Sequence, residues 1–350
     1  MAGAGARAVE LLEELVAIPS LTGSEGPLLD FLEERWLARG LTVETQEVSS
    51  GRRNLFVRRG EPEVVFTTHA DTVPPFFPPR RQGDVLFARG ACDAKGSLAA
   101  QSIAFEELSR EGAAVGLLVL VGEERGSDGA LVANRGPRGA RYLVGGEPTG
   151  NRFVVGSKGC LRIRAEARGI SGHSSATETG RSAVPPLLDF LAGLRATKVA
   201  ADPVFGETTM NIGVLEAGTA PNVIADSARA EILFRTGLRV EALLSLIEPR
   251  PGGGVRLEVP YRSDPILFRV PRGLSSKPEV VSFACDLPLL PAWGEPLLVG
   301  PGSILDAHAA EEKVDLAEIE SAVALYEKTA RGLLEHGDEY LEPKQMSGGR

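Results

Sequence analysis

The sequence predicts an α/β fold: a mixed, largely parallel sheet flanked by helices, with a separate α+β domain inserted into it. Two observations predict it. Short apolar runs at 64–68, 117–121, 142–144 and 297–299 are bounded by Gly or Pro and end in polar residues, which is how buried strands read. Between about 157 and 262 the rhythm changes to alternating apolar and polar residues, the pattern of half-exposed antiparallel strands.

The elements follow in order. Two amphipathic helices, about 7–17 and 26–39, open the chain, and Val9, Leu12 and Val16 share one face of the first. The strand at 64–68 runs into His69-Ala70-Asp71. A helix over 94–109 begins directly after Asp93. The strand at 117–121 runs into Gly122-Glu123-Glu124, that at 142–144 into Gly145-Gly146-Glu147-Pro148, and that at 297–299 into Gly300-Pro301-Gly302 and then His308. The insertion reads strand 161–167, helix 183–194, strands 210–215 and 227–234, helix 240–247 and strand 255–259, a β-α-β-β-α-β order. An irregular stretch over 263–296 leads back to the first domain, and a helix over 316–334 closes it. The expected division is 1–156 with 263–340 as one domain, 157–262 as the insertion, and 341–350 as a frayed tail.

At 350 residues the chain exceeds the usual size of one domain. A net charge of -9 without clustered Lys and Arg argues against nucleic acid as a partner. No apolar run approaches the roughly 20 residues that cross a bilayer, and the first residues lack the continuous apolar stretch of a secretion signal. Cys92, Cys160 and Cys285 are odd in number and far apart, so no disulfide framework follows. The expectation is a soluble, cytoplasmic protein with neither membrane nor nucleic acid as partner.

The chemistry lies at the strand ends. Open α/β sheets gather functional groups beyond the carboxyl ends of their strands, and four strands here deliver a histidine or a carboxylate to that edge. Asp71 stands two residues after His69, where a carboxylate can orient an imidazole. Glu123 and Glu124 point in different directions, so one can bind a metal while the other handles a proton. Singly, each has an ordinary reading as a loop histidine, a solvated acidic pair or, for Asp93, a helix cap. Four strand ends that converge on hard and borderline metal-ligand types are less ordinary than any one of them. The amides of Gly302 and Ser303 could hold a carboxylate. Cys92 reads as a small buried side chain, and His336 as a surface residue.

THADTVP, RGACDAKG, GEE, GEPT, SGHSS and GPGSILDAHAAEE resemble, in order and spacing over nearly the whole chain, the motifs of one peptidase family. That family contains acetylornithine deacetylase, succinyl-diaminopimelate desuccinylase, aminoacylase and bacterial glutamate carboxypeptidase. The resemblance implies a di-zinc exopeptidase-type fold with an inserted dimerisation domain. It implies two divalent ions, zinc with cobalt or manganese as alternatives. His69 and Glu147 would hold one ion, Glu124 and His308 the other, and Asp93 would bridge them. Asp71 would orient His69, and Glu123 would be the general base. His173 would donate to the oxyanion, from the other subunit in dimeric relatives, which makes residues 157–262 the expected homodimer surface. Arg235 would pair with the substrate α-carboxylate, a task suited to its planar fork. Asn222 would lie on the substrate side, in a loop where Ala225 replaces the proline often found. After His308 the family often shows Thr-Pro-x-Glu; here Ala309-Ala310-Glu311-Glu312 follows, and the acidic position falls on Glu312.

Glu147 at its position resembles the deacylase and carboxypeptidase branches. The leading expectation is hydrolysis of an N-acyl amino acid, of acetyl or succinyl type, in arginine or lysine biosynthesis. A metallo-carboxypeptidase or dipeptidase acting on short peptides is the alternative. A non-catalytic metal-binding relative is the reading from a different class.

Overall fold

Four parallel strands make the heart of the first sheet: Val115–Leu120, Val64–His69, Tyr142–Gly145 and Glu295–Leu298, in that order. The first two are buried along their whole length, the state expected of strands covered on both faces. Two antiparallel strands, Thr42–Ser49 and Arg52–Arg58, extend this sheet beside Val115–Leu120 and make it mixed. The outer one alternates between half-buried and exposed residues and carries no apolar run, which is why its sequence did not read as a strand. The computed structural model describes residues 3–136, 139–248 and 253–343.

Helices Ala4–Ala17, Lys95–Arg110 and Leu316–His336 pack on one another, and Lys95–Arg110 lies on the central strands. In Ala4–Ala17 the buried positions are Ala8, Val9, Leu11, Leu12, Leu15 and Val16, one face at helical spacing. Asp315 starts the last helix as its cap, accepting the Ala317 amide at 2.8 Å, a contact worth about 1 kcal/mol. Edge-to-face pairs Phe56–Trp293 and Phe66–Tyr326 fill the core around the sheet.

Contacts divide the chain into two units: residues 1–155, 267–279 and 285–350, and residues 156–266 with 280–284. The second unit therefore extends past the expected end at 262 and takes back a short piece of the stretch expected to be irregular. That stretch also contains the strand Glu279–Val281 and 3-10 turns at Leu287–Leu289 and Pro291–Trp293. The second unit is a four-stranded antiparallel sheet, ordered Thr209–Ala217, Ser227–Thr236, Gly159–Arg168, Val255–Ser263. Leu161, Ile163, Ala165, Ala230, Ile232 and Phe234 face helices Val184–Ala196 and Val240–Ile247. This is the β-α-β-β-α-β order read from the alternation. Of the segment expected to fray from 341, Leu341 is fully buried, and Glu342 donates its amide to the Val270 carbonyl at 2.9 Å. Residues 344–350 lie outside the described residues.

Candidate metal centre

The parallel strands end together, and their last residues build the site. His69 closes Val64–His69, is 1% exposed, and points Nε2 to within 3.1 Å of Asp93 Oδ1. Its Nδ1 sits 3.0 Å from the Asp71 carbonyl and 3.5 Å from Asp71 Oδ1, so the two ring nitrogens face Asp71 and Asp93. Asp71 is itself fully buried. Its carboxylate accepts the amides of Glu123 and Glu124 and the Thr22 hydroxyl at 2.7 Å. Burial pushes Asp71 up, but His69, Thr22 and the Glu124 amide outweigh it and hold the carboxyl below its ordinary value.

Asp93 stands just before helix Lys95–Arg110, 8% exposed. Its two oxygens face different imidazoles: Oδ1 toward His69, and Oδ2 toward His308 Nε2 at 3.3 Å. His308 Nε2 also lies 2.9 Å from Glu124 Oε1. Asp93 and Glu124 hold the half-exposed His308 imidazolium, raising its pKa to about 10. Glu147 follows Gly146, where only glycine fits: a Cβ there would meet Gln101 Nε2 at 2.6 Å and Ser97 Cβ at 2.7 Å.

These contacts resolve into two groups, His69-Asp93-Glu147 and Asp93-Glu124-His308, with each group's ligand atoms within 4.8 Å of one another. Asp93 belongs to both. Each group offers one imidazole, one carboxylate of its own and the shared carboxylate, a donor set suited to zinc and similar divalent ions. Burial, with neighbouring carboxylates adding to it, pushes the carboxyls of Glu147 and Glu123 well above their ordinary value. Glu123 lies next to Glu124 but in neither group.

Asp286 is a neighbour that sequence reasoning missed. It is 6% exposed, and neither carboxylate oxygen completes a hydrogen bond by distance and angle, although the Ser127 hydroxyl lies beside it. Burial pushes it up to about 7 against the pull of Ser127 and His69. One acid inside Phe283-Ala284-Cys285-Asp286-Leu287 was the available signal. Lys95 was also passed over: fully buried, it donates Nζ to the carbonyls of Leu15 at 3.0 Å and Ile18 at 2.8 Å.

Other expected residues fall elsewhere. The Gly302 amide is already engaged, donating to Glu318 Oε2 at 2.6 Å, so it is not free to hold a substrate carboxylate. The Ser303 hydroxyl accepts the Leu305 amide at 3.3 Å, and its carbonyl accepts the buried Cys92 thiol at 3.1 Å. Burial pushes that thiol far up, consistent with packing rather than nucleophilic chemistry. His173, Asn222 and Arg235 belong to the second unit. His173 Nδ1 is 2.8 Å from the Ser175 hydroxyl, and the Asn222 carbonyl accepts the Ser174 amide at 3.1 Å, so these two loops abut. Arg235, near the end of Ser227–Thr236, keeps one buried guanidinium nitrogen, Nη1, without a partner.

Histidines and carboxylates gathered at the carboxyl edge of a mixed sheet, with an α+β domain inserted in the chain, make the architecture of a metallopeptidase. The chain belongs to the M20 peptidase family. It is 36% identical over 331 residues to a peptidase M20 domain-containing protein of Schizosaccharomyces pombe, covering 90% of this chain and 82% of that protein. It is 32% identical over 373 residues to an Aspergillus clavatus protein named "Probable carboxypeptidase", covering 92% of this chain and 81% of the relative. Residues 155–249 match the peptidase dimerisation domain of the family. The fold is that of a tripeptidase from Staphylococcus aureus, with a TM-score of 0.77, 21% identity, and coverage of 93% of this chain and 99% of that one.

Proposed function

We propose that this chain is a di-metal exopeptidase of carboxypeptidase type, cutting the amide bond on the amino side of a residue with a free α-carboxylate. The observation that carries the reading is the pair of three-residue groups sharing Asp93, with Glu123 beside them and outside both. In it, His69, Asp93 and Glu147 would hold one divalent ion, and Asp93, Glu124 and His308 would hold the other. Such ions, zinc by donor chemistry, polarise an amide carbonyl and lower the pKa of water from about 15.7 toward 7.

The chain's own residues do the rest. Glu123 takes the proton of the attacking water and delivers it to the leaving nitrogen as the C–N bond breaks. Asp71 keeps His69 in one tautomer and orientation. We assign Arg235 to the substrate carboxylate, supported by its unpartnered buried Nη1. Asn222 and the Ser303 loop are assigned to the substrate side, and His173 to the oxyanion. Residues 155–249 are proposed as a homodimer surface, where the edge strand Thr209–Ala217 leaves Leu215 55% exposed. Three free, buried cysteines fit a reducing compartment such as the cytoplasm.

Removal of an acetyl or succinyl group from an N-acyl amino acid is the second reading. It asks the same site to cut the same kind of bond, with the same carboxylate on the leaving side. The named carboxypeptidase among the relatives favours the first. The purified, metal-loaded protein should be assayed on dipeptides, N-acetyl and N-succinyl amino acids, and their C-terminal amides. Hydrolysis of free-acid dipeptides but not their amides is expected. Turnover confined to acylated amino acids would install the deacylase reading, and equal turnover of the amides would remove Arg235 from its role.

A further inference from the structure

Glu312 takes no part in the chemistry above, yet it is completely buried four residues beyond His308. Its Oε1 accepts three backbone amides, from Gly90 at 3.0 Å, Cys92 at 3.1 Å and Asp93 at 3.0 Å. Its Oε2 pairs with Arg89 Nη1 at 2.6 Å, and Arg89 is 2% exposed and donates Nε to the Pro75 carbonyl. The Glu312 carbonyl accepts the Ala88 amide at 3.0 Å. Backbone and side chain of one residue thus grip the segment 88–93.

Convergent amides make an anion-binding concavity, and here the anion is part of the chain. Hydrogen bonds to an ionised acceptor are the strong class. Stability alone explains little, because a buried ion pair can often be exchanged for apolar side chains without loss. What a carboxylate does here and an apolar side chain cannot is hold three amides of a four-residue turn whose last side chain is Asp93. That turn must be held, because each Asp93 oxygen serves a different histidine, and a small swing would lose one of them.

We propose that Glu312 is a positioning residue for the shared ligand: it locks the Gly90–Asp93 turn to the loop carrying His308 and so sets the spacing between Asp93 and His308. The inference rests on the reading of Asp93 as the ligand common to both metal groups.

Zinc titration of the metal-free protein tests it. Wild type should take up two ions per chain. Glu312→Gln keeps an acceptor oxygen near the amides but loses the charge and sets an NH2 group against Arg89. It should bind zinc about 10–100-fold more weakly, and at saturating metal should show reduced kcat with KM little changed. Arg89→Met, which leaves the three amide contacts in place, should lose less affinity than Glu312→Gln at a comparable loss of Tm. Unchanged zinc affinity in Glu312→Gln would overturn the inference, as would an equal loss in both variants that simply tracks Tm. If Glu312→Gln does not fold, Glu312→Asp carries the test: its shorter reach should weaken binding, and wild-type affinity there would overturn the inference. A wild-type protein that binds no zinc would sink the metal reading and this inference together.

Discussion

The carboxylate of Asp71 accepts the amide of Glu123 at 3.1 Å while its other oxygen accepts that of Glu124 at 3.2 Å. The residue beside His69 Nδ1 therefore also holds the turn bearing the proposed base and a proposed ligand of the other ion. One side chain couples both metal groups, which a role confined to His69 would not require.

Asp71→Ala should lose more than a single misoriented histidine predicts. We expect about a 10–100-fold fall in kcat, with weaker binding of both ions. Asp71→Asn, which retains one oxygen for an amide, should fall between. Steady-state kinetics at saturating zinc, paired with metal titration, measure both, and loss of only one ion would show that the Glu124 turn does not depend on Asp71.

Glu123→Ala should separate the proton from the metals. Zinc stoichiometry should remain that of the wild type, because Glu123 belongs to neither ligand group. Turnover should drop by about 10²–10⁴-fold. A variant that keeps near-normal kcat would take the general-base role away from Glu123.

As a proposed ligand, His308 should make metal binding pH-dependent. In the metal-free protein its pKa is raised to about 10 by Asp93 and Glu124, so at neutral pH it carries a proton that a cation must displace. Zinc uptake should release protons, visible as a dependence of the calorimetric enthalpy on the buffer, and affinity should rise with pH. The same shift bears on stability. A raised folded-state pKa contributes stability that is fully present below the unfolded value of about 6.5. That contribution disappears as pH rises through about 10. The Tm advantage of metal-free wild type over His308→Ala should therefore shrink between these limits. A gap that stays constant across the window would contradict the His308 pairing.

His173 and Glu123 lie in different units of the chain. If His173 acts across a dimer, mixing inactive His173→Ala with inactive Glu123→Ala should restore some activity through mixed dimers. Absence of complementation, with subunit exchange demonstrated, would assign His173 to its own chain or to no catalytic role.

Much of this was legible in order along the chain. The four apolar runs became the four parallel strands, because a strand covered on both faces must be apolar throughout. The alternation after 157 became an antiparallel sheet with one covered face. Thr42–Ser49 was not legible, because a half-exposed edge strand has no apolar signature. Asp286 was not legible either: a buried acid in an apolar stretch looks like any loop acid until its neighbours are known.

By itself the sequence determined the set of ligand types and the strand ends that carry them, since residue chemistry and hydrophobic period are local properties. How that set divides was implied by the family resemblance and by no spacing along the chain; what only the tertiary structure decided is that these side chains meet in space. His69 with Glu147 and Glu124 with His308 are pairings across long stretches of chain, made when parallel strands align their carboxyl ends. The same holds for the engagement of the Gly302 amide by Glu318 and the grip of Glu312 on the Asp93 turn. A hydrogen bond between distant residues depends on how the backbone packs, and no spacing along the chain records that.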